Sequence, residues 1–202
     1  SIQRRLDNLN IMEFADCSSR NSPEMIFQMM GFGAPPGAAS EGQLAHKKMS
    51  FGPSLQLIAT ALGMPIERFE VTGAQGVARN DIQIAAGVVP KGTVAATKST
   101  LIGYHKDKPT FQMTTTWFVS EDVETSDGEE WEFRSPSGWH VVMMGDCPLD
   151  ISISYPVEPE NYADMTPGLT ANRPINAVPY VCEASPGIKT TVDLPQIIAR
   201  LG

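Results

Sequence analysis

Few residues of this chain are of types that do chemistry, and their spacing narrows what they can do. His46, His105 and His140 are far apart in the sequence, so no local pair can make a metal site. Each alone reads as a surface or satisfied core imidazole. Cys17, Cys147 and Cys182 are odd in number and lack C-x-x-C spacing. They read as reduced, buried thiols, because no histidine partner for a nucleophile is identifiable. GFGAPPG at 31–37 imitates G-x-G-x-x-G, but its last glycine falls one place late and Pro35 and Pro36 remove N–H groups that a pyrophosphate needs. No Walker A lysine, H-E-x-x-H or G-x-S-x-G occurs.

What remains is a set of candidate ligand-binding side chains. Arg20, after Cys17, Ser18 and Ser19 at the end of the first predicted strand, can pair bidentately with a carboxylate, or sit on a solvated turn. His46, Lys47 and Lys48 could donate a proton and clamp an anion, or form a surface patch. Met29 and Met30 precede Gly31 and could line a pocket for an alkyl group, or fill a core gap. Asn80, in GVARND, has a turn-forming reading beside a ligand-binding one.

The elements that must position these groups follow from periodicity. Residues 11–16 predict a strand, and Ser22, Pro23 and Glu24 start a short helix to about Met30, closed by Gly31. The next dozen residues read as a loop. At 53–62, Leu55, Ile58, Ala59 and Leu62 recur at helical spacing, and Leu57 and Ala61 predict a helix buried nearly all round, stopped by Gly63. Period-two patterns then predict strands near 66–72, 81–86, 93–105, 110–120, 139–145 and 149–155. In the fourth of these, Phe111, Met113, Thr115, Trp117 and Val119 share a face; in the last, Leu149, Ile151, Ile153 and Tyr155 oppose Asp150, Ser152 and Ser154, so antiparallel strands with one wet face are expected. Lys106–Pro109 reads as a hairpin turn, and the acidic run 121–134 as the tip of a longer hairpin. The last third predicts a helix capped by Asn172, with Pro174 at its start and Pro179 inside. The sum is α+β: one largely antiparallel or mixed sheet of about six strands with two or three helices on one face, forming a single domain over 1–202.

Composition sets the outer bounds. The 202 residues carry 15 Lys and Arg against 23 Asp and Glu, a net charge of −8, which argues against a nucleic-acid partner. No apolar stretch is long enough for a membrane span, and SIQRRLDNLN lacks a signal-peptide core, so a cytoplasmic location is expected. The chain begins with Ser1 in what reads as the end of a helix, and so reads as a fragment.

Three segments are more specific. NIMEFADCSSRNSPEMIFQMMGFG (10–33), FGPSLQLIATALG (51–63) and TPGLTANRPINAVPYVCEASPGIKTTVDLP (166–195) resemble the C-terminal part of dihydrodipicolinate-reductase-like proteins, in the branch of 2,4-diaminopentanoate dehydrogenase and the native amine dehydrogenases. The resemblance implies an NAD(P)-dependent oxidoreductase reducing an imine or carbonyl, or oxidising an amine. NAD or NADP would be bound mainly by a preceding domain, with no metal. The present chain would supply the substrate pocket and the subunit contact of a homodimer. The substrate-binding candidates are Ser18, Arg20, Met30, His46, Lys48 and Asn80, chosen by type and local context, and Thr170 and Asn176, to which the resemblance points. It places Thr170, Asn172 and Asn176 where the family's last helix meets the pocket; capping explains Asn172 equally well. HKKMSFGPS matches the histidine-lysine stretch of true dihydrodipicolinate reductases only at His46, Lys48, Pro53 and Ser54, which speaks against a role in lysine synthesis. The alternative is a free-standing small-ligand-binding or scaffold domain without catalysis.

Overall fold

A computed structural model of the chain describes residues 3–37, 41–134 and 137–196. It folds as two compact units, Ser1–Pro159 and Glu160–Gly202.

The organising element of the first unit is strand β1, Leu6–Asp16. It starts earlier than the alternation at 11–16 suggests, and the residues expected to end a helix lead directly into it. β1 pairs in parallel with β6 (Lys108–Phe118), Leu9 opposite Phe111, and antiparallel with β8 (Ser137–Gly145), Leu9 opposite Met143. With β2 (Arg68–Ala78), β5 (Val94–His105), β7 (Val123–Thr125) and β9 (Leu149–Ser154), the sheet has seven strands in the order β7-β2-β5-β6-β1-β8-β9. It is therefore a mixed sheet within an α+β fold. The predicted strand at 81–86 is instead a separate two-stranded hairpin, β3 (Ile82–Ile84) with β4 (Gly87–Val89). The expected turn after β5 is present, Lys106 and Asp107 both taking positive φ, as a tight hairpin with right-handed strand twist requires.

The first face of the sheet carries Leu9, Ile11, Leu101, Phe111 and Met113, and the long helix α1 (Glu41–Ala61) packs Leu55 and Ala59 into it. α1 begins well before residue 53, because Gly42, Gly52 and Pro53 hide a helix that tertiary packing retains. It is buried on one stripe only: Ala61 is exposed, and Leu62, just beyond the helix, is half exposed. A second cluster around Cys17, Ile26, Phe32, Val89, Ala95 and Phe118 packs the end of β1, the β3–β4 hairpin and a short π-helical segment, Glu24–Met29. β6 lies between two strands and is buried on both faces, Thr114, Thr116 and Phe118 as well as Phe111 and Thr115. The expected wet face is absent there. β9 departs in the other direction: it is an edge strand, and its apolar Ile151 and Ile153 stay exposed. The acidic run is not a hairpin tip, because β7 within it crosses to the far edge and pairs with β2.

The opposite face of the sheet is rich in hydroxyls and amides. Thr100 and Thr114 hydroxyls pair at 3.3 Å, Gln112 donates to Thr114, and the buried Asn10 Oδ1 has no partner. Of the cysteines only Cys17 is buried; Cys147 and Cys182 are exposed, a correction that follows from their places after β8 and near the end of α2, Pro159–Glu183.

α2 begins at Pro159, the last residue of the first unit, and runs through the second, where Asn172 is an interior residue rather than a cap. Proline at the first helical position is a favoured start. Pro167, Pro174 and Pro179 lie inside the helix, each removing one N–H donor. Asp193 closes the turn after it, accepting from the Thr190 amide and hydroxyl.

Candidate functional site

The first unit carries an open-mouthed cavity of about 770 Å³ on the helix-covered face of the sheet. Its origin is a change of residue size along the strands. Toward the start of β1, the rows under α1 are filled by Leu9, Phe111, Met113 and Leu101; toward its end, Glu13, Thr115, Ser99 and Gly73 share one row, and Ala15, Trp117, Thr97 and Gln75 the next. Gly73, Ser99, Thr115, Ala15 and Thr97 in these rows leave volume that larger side chains would fill. The N-terminal half of α1 supplies Leu44, His46, Lys47, Ser50 and Phe51 as the opposing wall, and Met25, Met29 and Met30 form an apolar side.

Charge is concentrated at the floor. Glu13 is largely buried, and burial pushes its carboxyl above the usual range. The indole N–H of Trp117 donates to Glu13 Oε1 at 3.1 Å, and Lys47 adds its field; both pull the carboxyl back down. Burial lowers the Lys47 ammonium, with Glu13 opposing. The ammonium nitrogen lies 3.5 Å from the centroid of the Trp117 ring and 5.7 Å from that of Phe51. At the sheet end, Arg20 enters the lining with its buried Nε free of any hydrogen-bond partner, and Nη1 reaching Met25 Sδ at 3.9 Å. Cys17 also borders the cavity, but burial pushes its thiol up to about 11, so it is protonated at neutral pH.

Of the residues singled out from sequence, Arg20, Met30 and His46 meet in this cavity, with Met29 beside them. His46 Nε2 is 3.5 Å from the Ser50 hydroxyl. Ser18, Lys48 and Asn80 are outside its lining. The Ser18 amide donates to Asp16 and its carbonyl accepts from Ala85; the Lys48 ammonium is 5.9 Å from the Phe69 ring centroid; Asn80 donates to Asp122 at 3.0 Å in an exposed turn. Thr170, Asn172 and Asn176 are exposed on α2 in the second unit. Glu13 and Trp117 escaped the sequence reading, and Lys47 entered it only beside His46. A glutamate on the apolar face of a central strand was the available signal.

The glycine-rich loop does not form a dinucleotide cradle. Gly33 N–H donates to Val94, Phe32 N–H to Ile26 and Ala34 N–H to Gly31, so the loop amides are spent inside the fold and do not fit a pyrophosphate. Among the described residues no cluster of three or more His, Cys, Asp or Glu side chains could hold a metal ion, and no helix is long and apolar enough to cross a membrane.

Comparison with known proteins follows the same lines. The family model of the 2,4-diaminopentanoate dehydrogenase C-terminal domain matches residues 37–202. Among eleven matching chains of known structure is an amine dehydrogenase from Mycobacterium smegmatis, with a TM-score of 0.65 at 16% identity, covering 98% of this chain and 54% of that one. The chain thus spans about half the length of that protein, and the likeness at this identity is one of fold. No curated protein matches by sequence.

Proposed function

We propose, from the premise that this chain belongs to the 2,4-diaminopentanoate dehydrogenase C-terminal domain family, that it forms the substrate pocket and subunit contact of a nicotinamide-dependent oxidoreductase. The substrate is a small amine, or the imine or ketone that corresponds to it. NAD or NADP is held mainly by residues other than these, in keeping with the occupied amides of the glycine-rich loop. The chemistry of hydride transfer belongs to that group; this chain binds and orients.

The observation that carries the reading is Arg20, a guanidinium at the cavity wall whose buried Nε has no partner. An unpaired buried donor is costly, and a carboxylate entering the cavity would satisfy it with a charge-assisted bond. The methionine side beside it suits a short alkyl chain. The protein is proposed to be a cytoplasmic homodimer, with this chain supplying the contact, as in the symmetric assemblies most soluble oligomers form.

The test requires a protein carrying this chain together with its nucleotide-binding half. Arg20→Ala should lower kcat/KM by roughly 10- to 1000-fold for a carboxylate-bearing amine, as loss of a bidentate charged contact does. Unchanged kinetics in Arg20→Ala would remove the carboxylate assignment, and absence of any nicotinamide-linked turnover of amines or ketones would remove the oxidoreductase reading.

A further inference from the structure

Three elements meet at the cavity floor to build something narrower than a general pocket. β1 brings the Glu13 carboxylate, β6 brings the Trp117 indole, and α1 brings the Lys47 ammonium. The Nε1–Oε1 bond of 3.1 Å ties the indole to the carboxylate, so the ring face and the anion stay in fixed relation. An aromatic face beside a partly buried carboxylate is an environment suited to an organic ammonium ion. The chain fills that environment with its own ammonium, 3.5 Å from the ring centroid. Lys47 is held there by the ring and the field of Glu13 rather than by a contact ion pair among the described residues.

We propose that the Glu13–Trp117 corner is a subsite for a primary alkylammonium group, and that Lys47 is its resident competitor, withdrawing when such a ligand enters. Lysine suits this role, because its charge is a compact point on a flexible stem, and the head regains water on leaving. The entering ligand has an advantage over the side chain it replaces: its alkyl part adds contact with Phe51 and Met30. The inference deepens the reading of this cavity as an amine site and rests on it for the ligand class. It assigns the nitrogen to Glu13 and Trp117, at a different wall from Arg20.

The experiment uses the 202-residue chain and n-butylammonium. The indole N–H signal of Trp117, assigned by its loss in Trp117→Phe, reports directly on the carboxylate it touches. Butylammonium should shift this signal saturably, whereas butan-1-ol, of the same shape but uncharged, should not. Lys47→Met should tighten butylammonium binding by about tenfold, since the site is no longer occupied for most of the time. Glu13→Gln, which keeps an acceptor for the indole, should weaken it at least tenfold. Equal responses to the amine and the alcohol in the unmodified chain, weaker or unchanged binding in Lys47→Met, or unchanged binding in Glu13→Gln each overturn the proposal. Butylammonium binding that follows this pattern in a protein without nicotinamide-linked turnover would leave the subsite standing and remove only the oxidoreductase reading.

Discussion

Replacing Trp117 with phenylalanine leaves a ring at the cavity floor but deletes the donor that Glu13 Oε1 accepts from. Hydrogen bonds to charged groups are worth about 1.5–3 kcal/mol net, and here the acceptor is left in a largely desolvated place. Removing that much stabilisation from the ionised form alone raises the Glu13 carboxyl by roughly 1–2 pH units, at about 1.36 kcal/mol per unit. The sign follows from linkage. Burial already lifts the folded carboxyl above its unfolded value, so the folded chain holds the proton more strongly and loses stability as pH rises through that window. The substitution widens the window. Its cost should therefore be larger at pH 8, where Glu13 must ionise, than at pH 5, by at most about 1.5–3 kcal/mol; loss of ring volume adds a term independent of pH. Urea denaturation of both proteins at the two pH values reads this difference from the midpoints at equal slope. A cost equal at pH 5 and pH 8 refutes the claim that the indole stabilises an ionised Glu13.

Two further outcomes test the packing and the thiols. A Cβ added at Gly138, on β8, would sit 2.5 Å from the Ile153 carbonyl oxygen of β9, so Gly138→Ala should lower stability by about 1–3 kcal/mol and loosen amide-exchange protection along β9 first. Iodoacetamide at neutral pH should modify Cys147 and Cys182 and spare Cys17, whose buried thiol is pushed up to about 11; peptide mass spectrometry showing Cys17 labelled without denaturant would contradict that burial.

Strands β2, β5, β6, β8 and β9 were legible because their alternation is strong and their turns carry glycine, proline or aspartate at the right places, whereas the three-residue β7 inside the acidic run was too short to show a period. α1 and α2 were misjudged at their starts for one reason: glycine and proline weigh heavily in a local reading, whereas a helix packed through Leu55 and Ala59 tolerates Gly52 and Pro53. The parallel pairing of β1 with β6 has no local signal, since register between distant strands is set by the whole sheet. The candidate site shows the same division. Arg20, Met30 and His46 stand out by type and local context. Glu13 and Trp117 read as ordinary members of alternating strands, and only the sheet register brings the indole against the carboxylate.

The central position of β1 also dictates when the fold can be completed. β1 leaves the ribosome well before its neighbours in the sheet: Leu9 pairs with Phe111 and Met143, both more than a hundred residues later. At about 5–20 residues per second, β1 waits on the order of ten seconds with both hydrogen-bonding edges unpaired. Such distant pairings make for slow folding and for a nascent chain whose open edges invite foreign strands. Expression of this chain should thus depend on chaperone supply and on synthesis rate more than its final stability suggests.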